Sequence, residues 1–330
     1  MNAEPRHPSC RIMAGDVLDC LGRLPSDSVN CVVTSPPYWG LRDYGAEGQI
    51  GLEPTLAEWV EKMRAVFAEV RRVLRGDGTC WVNLGDAYAT AGGAGVQGKN
   101  GARAGRRETS FRGALAMRNE TRNHDSGLKP KDLMGQPWRV AFALQDDGWF
   151  LRSDIIWSKP NPMPESVTDR PTKAHEYLFL MTKSARYFYD AEAVRESAKY
   201  GRRQMSGYFQ SVAQEGRRRA TGTTGGKSDN PSAGRNARTV WTMATQPCSE
   251  AHFATFPRAL PERCIRAGCP EGGTVLEPFL GSGTTAIVAA QLGRSCIGIE
   301  LNPTYREMAE RRIRNEVGLL TSIETEESKP

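Results

Sequence analysis

No stretch of 18 apolar residues occurs in this 330-residue chain, and its opening residues, MNAEPRHPSC, hold no apolar run of the kind a secretory signal needs. A membrane span and export are therefore not expected, and the expected location is the cytoplasm. The eight cysteines include no CxxC pair, and most lie inside apolar segments such as NCVVT and SCIGI, so they read as reduced core residues. Zinc needs four convergent ligands, whereas Cys264 and Cys269 have only His252 within reach along the chain, so no metal is expected.

Charge is present in both signs, with 44 Lys and Arg against 38 Asp and Glu, but it is unevenly placed. From Lys99 to Arg139 there are 10 basic and 4 acidic residues, and from Arg195 to Val240 there are 10 basic and 3 acidic. These segments carry +6 and +7, which leaves −7 on the rest of a chain whose net charge is +6. They overlap two stretches, residues 90–135 and 196–240, that are rich in Gly, Arg and Ser and poor in branched apolar residues. Such composition buries too little surface to offset ordering entropy, and a polyanionic partner suits it. Arg106, Arg107, Arg202, Arg203, Arg217, Arg218 and Arg219 are the candidate contacts to such a partner.

Elsewhere strands and helices alternate. CRIMAGDVLDCLGRLPSDSVNCVVTSPPY reads as strand, helix and strand, the last stopped by two prolines that restrict the backbone and remove N–H donors. Leu56, Trp59, Val60, Met63, Val66, Phe67, Val70, Val73 and Leu74 recur at helical spacing up to Gly76. GTCWVNLGD predicts a buried strand, and PWRVAFALQDDG a helix with Pro near its start and Gly beyond its end. FLRSDIIWSKP, HEYLFLMTKS and ARYFYD are β-rich, and the last two are close enough to predict a hairpin. GGTVLEPF, a Gly-rich turn, TTAIVAAQLG, RSCIGIE and NPTYREMAERRIRN spell strand, helix, strand, helix, and ETEESKP reads as a solvated tail. The fold expected is α/β: a doubly wound, mostly parallel seven-stranded sheet carrying inserted basic loops.

Two turns carry the chemistry. In VLEPFLGSGTT, Gly281 and Gly283 let backbone approach a ligand, and Thr284 begins a helix whose free N–H groups face it. The next strand ends in Glu300, where a carboxylate can accept two ribose hydroxyl bonds. This turn has neither a third glycine for a dinucleotide nor a lysine for a triphosphate. A smaller adenosine ligand, with S-adenosyl-L-methionine leading that group, suits it better. In TSPPYWG, Ser35 Oγ and the Pro36 carbonyl are free to accept from an amino group, Pro37 stiffens the turn, and Tyr38 offers a ring for stacking.

TSPPY together with EPFLGSGTT resembles the amino-group DNA methyltransferases, which use [DSN]PP[YFW] for catalysis and FxGxG for the cofactor. With the catalytic motif 239 residues ahead of the FxGxG turn, the order resembles that family's β arrangement. The likeness continues in AGDVLDCLGRLP, IIWSKPNPMP, HEYLFLMTKSARYFYD, HFATFPRALPERCI and GIELNPTY, and so spans nearly all the chain outside the basic insertions. It implies that Asp16 contacts the cofactor's adenine amino group and Glu300 its ribose. Phe279, Gly281, Ser282, Gly283 and Thr284 would surround its methionine half, and His252, Phe253 and Pro257 would pack along the same pocket. Glu277 stands where many members have Asp, a change expected to be tolerable because the Gly turn sets the backbone approach.

The resemblance further implies methylation of an exocyclic amino group of a flipped base in a specific sequence of double-stranded DNA, which the basic segments would hold. Ser35 favours cytosine N4, and adenine N6, RNA, a protein amide and a non-catalytic binder are the alternatives. Residues 1–89 and 136–195 would form the catalytic half and 251–318 the cofactor half. Residues 90–135 would be a backbone clamp, 196–250 the target-recognition region and 319–330 a tail. A cognate restriction endonuclease is a possible partner, and the chain would act as monomer or homodimer.

Overall fold

The structure, a computed structural model, describes residues 8–41, 43–89, 126–197, 234–246, 256–319 and 321–326. Strand β1 (Ser9–Ala14), helix α1 (Val17–Gly22), β2 (Val29–Thr34), α2 (Leu56–Val73), β3 (Leu74–Leu84) and α3 (Gln136–Asp146) come first. Then follow β4 (Phe150–Ser158), β5 (His175–Thr182), β6 (Val240–Thr242), α4 (Ala259–Gly268) and β7 (Thr274–Glu277). Helix α5 (Thr284–Gln291), β8 (Ser295–Glu300), α6 (Pro303–Val317) and β9 (Ser322–Glu326) complete it.

Local chemistry explains the main helices. Thr55 Oγ1 accepts from the Glu58 N–H at 3.2 Å and caps α2, whose apolar face from Leu56 to Val73 is buried. Asn302 Oδ1 accepts from the Thr304 N–H at 2.9 Å at the start of α6, and Pro303 occupies the first turn, where its missing donor costs nothing.

The described strands form one sheet in the order β6-β4-β5-β3-β2-β7-β8-β1-β9. Successive residues of β2 and β3 point to opposite faces. Val32, Cys80 and Val82 pack under α1, α2 and α3, whereas Cys31, Val33 and Trp81 pack toward α4 and α5. Both faces are thus covered, as the doubly wound reading requires. Each large side chain fully buried there contributes roughly 1.5–3 kcal/mol. All seven described cysteines are buried and unbridged.

Three expectations change. The sheet has nine strands rather than seven, because the three-residue β6 and the five-residue β9 extend its edges. The sheet is mostly parallel, as expected: β5 runs antiparallel to both β3 and β4, while the other pairings are parallel. The hairpin pairs β4 with β5, not β5 with ARYFYD. That last run is irregular, its amides taken by isolated bonds such as Phe188 N–H to Asp77 O and Asp190 N–H to Ala267 O, both 2.8 Å. The solvated tail is in part β9, which pairs with β1 and whose Glu326 carboxylate binds the Arg11 and Arg23 guanidiniums. Among the described residues, no helix is long and apolar enough to cross a membrane.

Candidate active site

The C-terminal half of the chain inserts β7 and β8 between β2 and β1, so the strand order reverses at the β2–β7 junction. Open α/β sheets bind ligands beyond the carboxyl ends of their strands at such a junction. Here β2, β7, β8 and β1 are mutually parallel and deliver Thr34, Glu277, Glu300 and Ala14 to one edge. A cavity of about 670 Å³ opens there. Ser35, Pro36, Pro37 and Tyr38 line it together with Glu277, Phe279, Gly281, Ser282 and Thr284, and Asp16 and Glu300 line it as well. Two motifs far apart in the chain therefore face a single space.

The proline turn is held from below. The Trp59 indole N–H donates to the Pro37 carbonyl at 3.0 Å, which fixes the turn against α2. Gly51, at φ +104°, passes so close that a Cβ would lie 3.0 Å from the Tyr38 carbonyl oxygen. Tyr38 does more than present a ring. Its hydroxyl lies 3.2 Å from Ser35 Oγ and donates to Glu176 Oε2 at 3.0 Å, while the ring edge packs on Gly85. Burial first, then the neighbouring Glu176 carboxylate, holds the Tyr38 phenol well above its usual pKa, so it remains a donor.

Glu176, Lys159, Asn83 and Asn161 also line the cavity and were not assigned from sequence. The reason is topological. Because β5 is antiparallel, its first residues meet the last residues of β3 and β4, with Leu84 opposite Tyr177 and Ser158 opposite His175. Glu176 and Lys159 thereby reach the same edge as Ser35. Lys159 Nζ pairs with Glu176 Oε1 and lies 4.3 Å from the centroid of the Trp157 ring. The signal in the sequence was the pair of segments IIWSKPNP and HEYLF, whose likeness was noted without a role for these side chains.

Glu300 accepts from the Gly281 N–H and the Asn302 N–H, each at 2.8 Å, so its carboxylate is oriented by backbone. Burial raises its pKa against those bonds. Glu277 is buried and accepts from the Phe279 N–H at 3.2 Å and from Thr285 Oγ1 at 2.8 Å. Its side chain thus ties the turn to α5, which corrects the expectation that the glycines alone shape it. Burial pushes its pKa up to about 8.

Other candidates divide differently. Asp16 caps α1, its Oδ1 accepting from Leu18 N–H at 2.8 Å, and still lines the cavity. Gly283, at φ +79°, stands behind the cavity wall, where a Cβ would meet Ala309 Cβ at 3.1 Å. Close packing on α6, rather than ligand approach, requires glycine there. Pro257 is buried at the start of α4 and does not line the cavity, whereas its neighbour Phe256 does. His252 and Phe253 lie outside the described residues, as do all seven candidate DNA-contacting arginines. Among the described residues, no group of three His, Cys, Asp or Glu side chains could hold a metal ion.

A doubly wound sheet whose SPPY turn and FLGSG turn share one cavity defines an amino-group methyltransferase. The family model described as DNA methylase matches residues 29–311, and the chain belongs to that family. It is similar to the Type II methyltransferase M.Cfr9I of Citrobacter freundii, at 48% identity over 305 residues covering 92% of this chain and 88% of that one. M.SmaI of Serratia marcescens is 46% identical, with coverage of 92% and 91%. In fold the chain is similar to the PvuII cytosine-N4-specific DNA methyltransferase, with TM-score 0.60, 19% identity and coverage of 97% and 98%. It is likewise similar to a putative DNA modification methylase of Thermus thermophilus complexed with S-adenosyl-L-methionine, with TM-score 0.56, 23% identity and coverage of 96% and 99%.

The protein is a DNA methyltransferase whose methyl donor is S-adenosyl-L-methionine. The residues present fit that group. The cavity lies within the roughly 300–1,000 Å³ of small-molecule sites. Its lining includes the Asp16 and Glu300 carboxylates, the Phe279 ring and the Gly281 backbone, groups suited to ribose hydroxyls, amino groups and an adenine plane.

Proposed function

We propose that the chain methylates N4 of cytosine within a specific double-stranded sequence. The observation that supports this reading is the shared cavity, lined both by Ser35 and Pro36 and by the turn that would hold the cofactor. The exocyclic nitrogen of a base is a weak nucleophile because its lone pair is delocalised into the ring. When the Ser35 hydroxyl and the Pro36 carbonyl accept its two hydrogens, the nitrogen is drawn toward tetrahedral geometry and its lone pair is aimed across the cavity. The bound cofactor supplies an electrophilic sulfonium methyl group there. Alignment by a rigid turn contributes much of the acceleration. A base stacked in the duplex cannot reach this depth, so the target must be flipped into the cavity beside Tyr38. Ser35, in place of the Asp common among adenine enzymes, supports cytosine.

In this reading Glu300 holds the ribose, Asp16 the adenine amino group, and Phe279, Gly281, Ser282 and Thr284 the methionine half. Residues 196–250 read the target and residues 90–135 clamp the backbone, with Arg106, Arg107, Arg202, Arg203, Arg217, Arg218 and Arg219 on phosphates. The likeness to two Type II methyltransferases supports a companion restriction endonuclease for this chain. The test is to incubate the purified protein with duplex DNA and labelled cofactor, digest to nucleosides and identify the product by mass spectrometry. N4-methylcytosine is expected. N6-methyladenine would overturn the choice of base, and label in neither would overturn the reading. Base-resolved sequencing of the methylated DNA gives the recognition sequence.

A further inference from the structure

We infer that Ser35, Tyr38 and Glu176 form a proton relay that removes the proton displaced from the target nitrogen, with Lys159 fixing the far end of the relay. This rests on the proposed role of the TSPPY turn. The groups stand in series: Ser35 Oγ is 3.2 Å from the Tyr38 hydroxyl, and that hydroxyl is 3.0 Å from Glu176 Oε2. Lys159 Nζ binds the other carboxylate oxygen, Oε1. All four residues line the same cavity. They come from three separate places in the fold, the β2 turn, the end of β4 and the start of β5.

The direction of the chain follows from its donors. The Tyr38 phenol keeps its proton and has one to give, which goes to the charged Glu176 carboxylate at 3.0 Å in preference to the neutral Asn83 Oδ1 at 3.4 Å. Its oxygen is then free to accept from the Ser35 hydroxyl, which leaves Ser35 Oγ turned as an acceptor toward the cavity. Hydrogen bonds in such a series polarise one another, so the charge on Glu176 strengthens the acceptor that faces the base.

The balance of the step is simple. The target amino nitrogen uses its lone pair to form the new N–C bond as the methyl leaves sulfur with the bonding electrons on the thioether. The nitrogen then bears a positive charge and two hydrogens. One N–H bond breaks and its electron pair stays on nitrogen. The proton passes to Ser35 Oγ, the Ser35 proton to the Tyr38 oxygen, and the Tyr38 proton to Glu176 Oε2. The products are a neutral methylamino base and a protonated Glu176, which returns its proton to solvent. Glu176 acts through the Tyr38 hydroxyl: it is a positioning residue in the resting enzyme and the proton's destination during transfer.

Tyr38→Phe keeps the ring and removes the middle hydroxyl. Glu176→Gln keeps the side-chain size and an acceptor oxygen but cannot take the proton. Each should lower the single-turnover methylation rate on the order of 100-fold. The KM for DNA and the calorimetric Kd for S-adenosylmethionine should move less than about twofold. Tyr38→Phe combined with Glu176→Gln should be no slower than the slower single variant, because the relay works as a unit. Infrared difference spectra of the native enzyme during one turnover should show a carboxylic acid band that Glu176→Gln lacks. Multiplicative losses in the double variant, or a rise in KM matching the fall in rate, would assign these side chains separate structural roles and overturn the relay. Unchanged rates in Tyr38→Phe and Glu176→Gln beside a slow Ser35→Ala would overturn the relay and leave the turn's catalytic role standing. An unchanged rate in Ser35→Ala as well would overturn both.

Discussion

Trp59 in the first turns of α2 donates its indole N–H to the carbonyl of Pro37 at 3.0 Å, across 22 residues of chain. A helix buried against the sheet thus fixes the height of the catalytic turn. The Pro37 carbonyl is occupied by this bond, which leaves the Ser35 hydroxyl and the Pro36 carbonyl for the base. Trp59→Phe removes the donor and leaves a buried carbonyl unpaired, at a cost of about 1–3 kcal/mol. Urea denaturation should show that loss, and the methylation rate should fall while S-adenosylmethionine affinity holds.

The two glycines of the FLGSG turn should separate on substitution. Gly281 has φ +52° and lines the cavity, so Gly281→Val places a branched side chain in the ligand's space in a conformation that costs on the order of 1–2 kcal/mol. Affinity expected near −8 kcal/mol for a micromolar cofactor should vanish in calorimetry. Gly283→Ala instead pushes a Cβ against Ala309 and lowers thermal stability, with cofactor binding nearly intact because Gly283 stands behind the wall. Unchanged cofactor affinity in Gly281→Val would remove the turn from the binding site.

Both turns were legible in the sequence because their signals are local: proline restricts its own backbone, and glycine marks positions of positive φ. The doubly wound order was legible for the same reason, as helical and strand periods alternate. Strand β9 was hidden because SIETE has no apolar alternation. It is held by backbone pairing with β1 and by Glu326 meeting Arg11 and Arg23. Glu176 and Lys159 were hidden for a different reason. Lys159 follows the carboxyl end of β4, and only the reversed direction of β5 brings Glu176 beside it at the cavity edge; no pattern within HEYLFLMT states which neighbour it will oppose. Glu277 looked like a tolerated variant because its bonds to Phe279 and Thr285 depend on the bend of a turn that the sequence implies only in outline.

Neutralising Arg217, Arg218 and Arg219 together tests the division between DNA-holding segments and catalytic body. Each basic residue that meets a phosphate releases condensed counterions, so log affinity falls against log salt with a slope near −0.9 per contact. The triple substitution to Ala should flatten that slope by up to about 3 units and leave S-adenosylmethionine affinity unchanged. Fluorescence anisotropy across a salt series reads the slope. A slope equal to that of the native protein would place these arginines away from the DNA.

The buried Glu277 predicts how stability depends on pH. Its side chain is 2% exposed, and burial pushes its pKa from the ordinary 4.5 to about 8, against hydrogen bonds from Thr285 and the Phe279 N–H that favour the charged form. The folded protein therefore keeps a proton that the unfolded chain releases as pH rises past 4.5. A group of this sign contributes stability fully present below its unfolded pKa and lost as pH climbs toward its folded one. The loss should approach about 1.4 kcal/mol per pH unit across that window and level off above it. Glu277→Gln cannot ionise. Its amide oxygen can still accept from Phe279 and its amino group can donate to Thr285 Oγ1, so both contacts survive. The variant should match the native protein at about pH 5 and exceed its stability by a few kcal/mol at about pH 8. Urea denaturation at intervals across that range measures the difference. Parallel curves for the two proteins would show that Glu277 carries no proton into the folded state that the unfolded chain lacks.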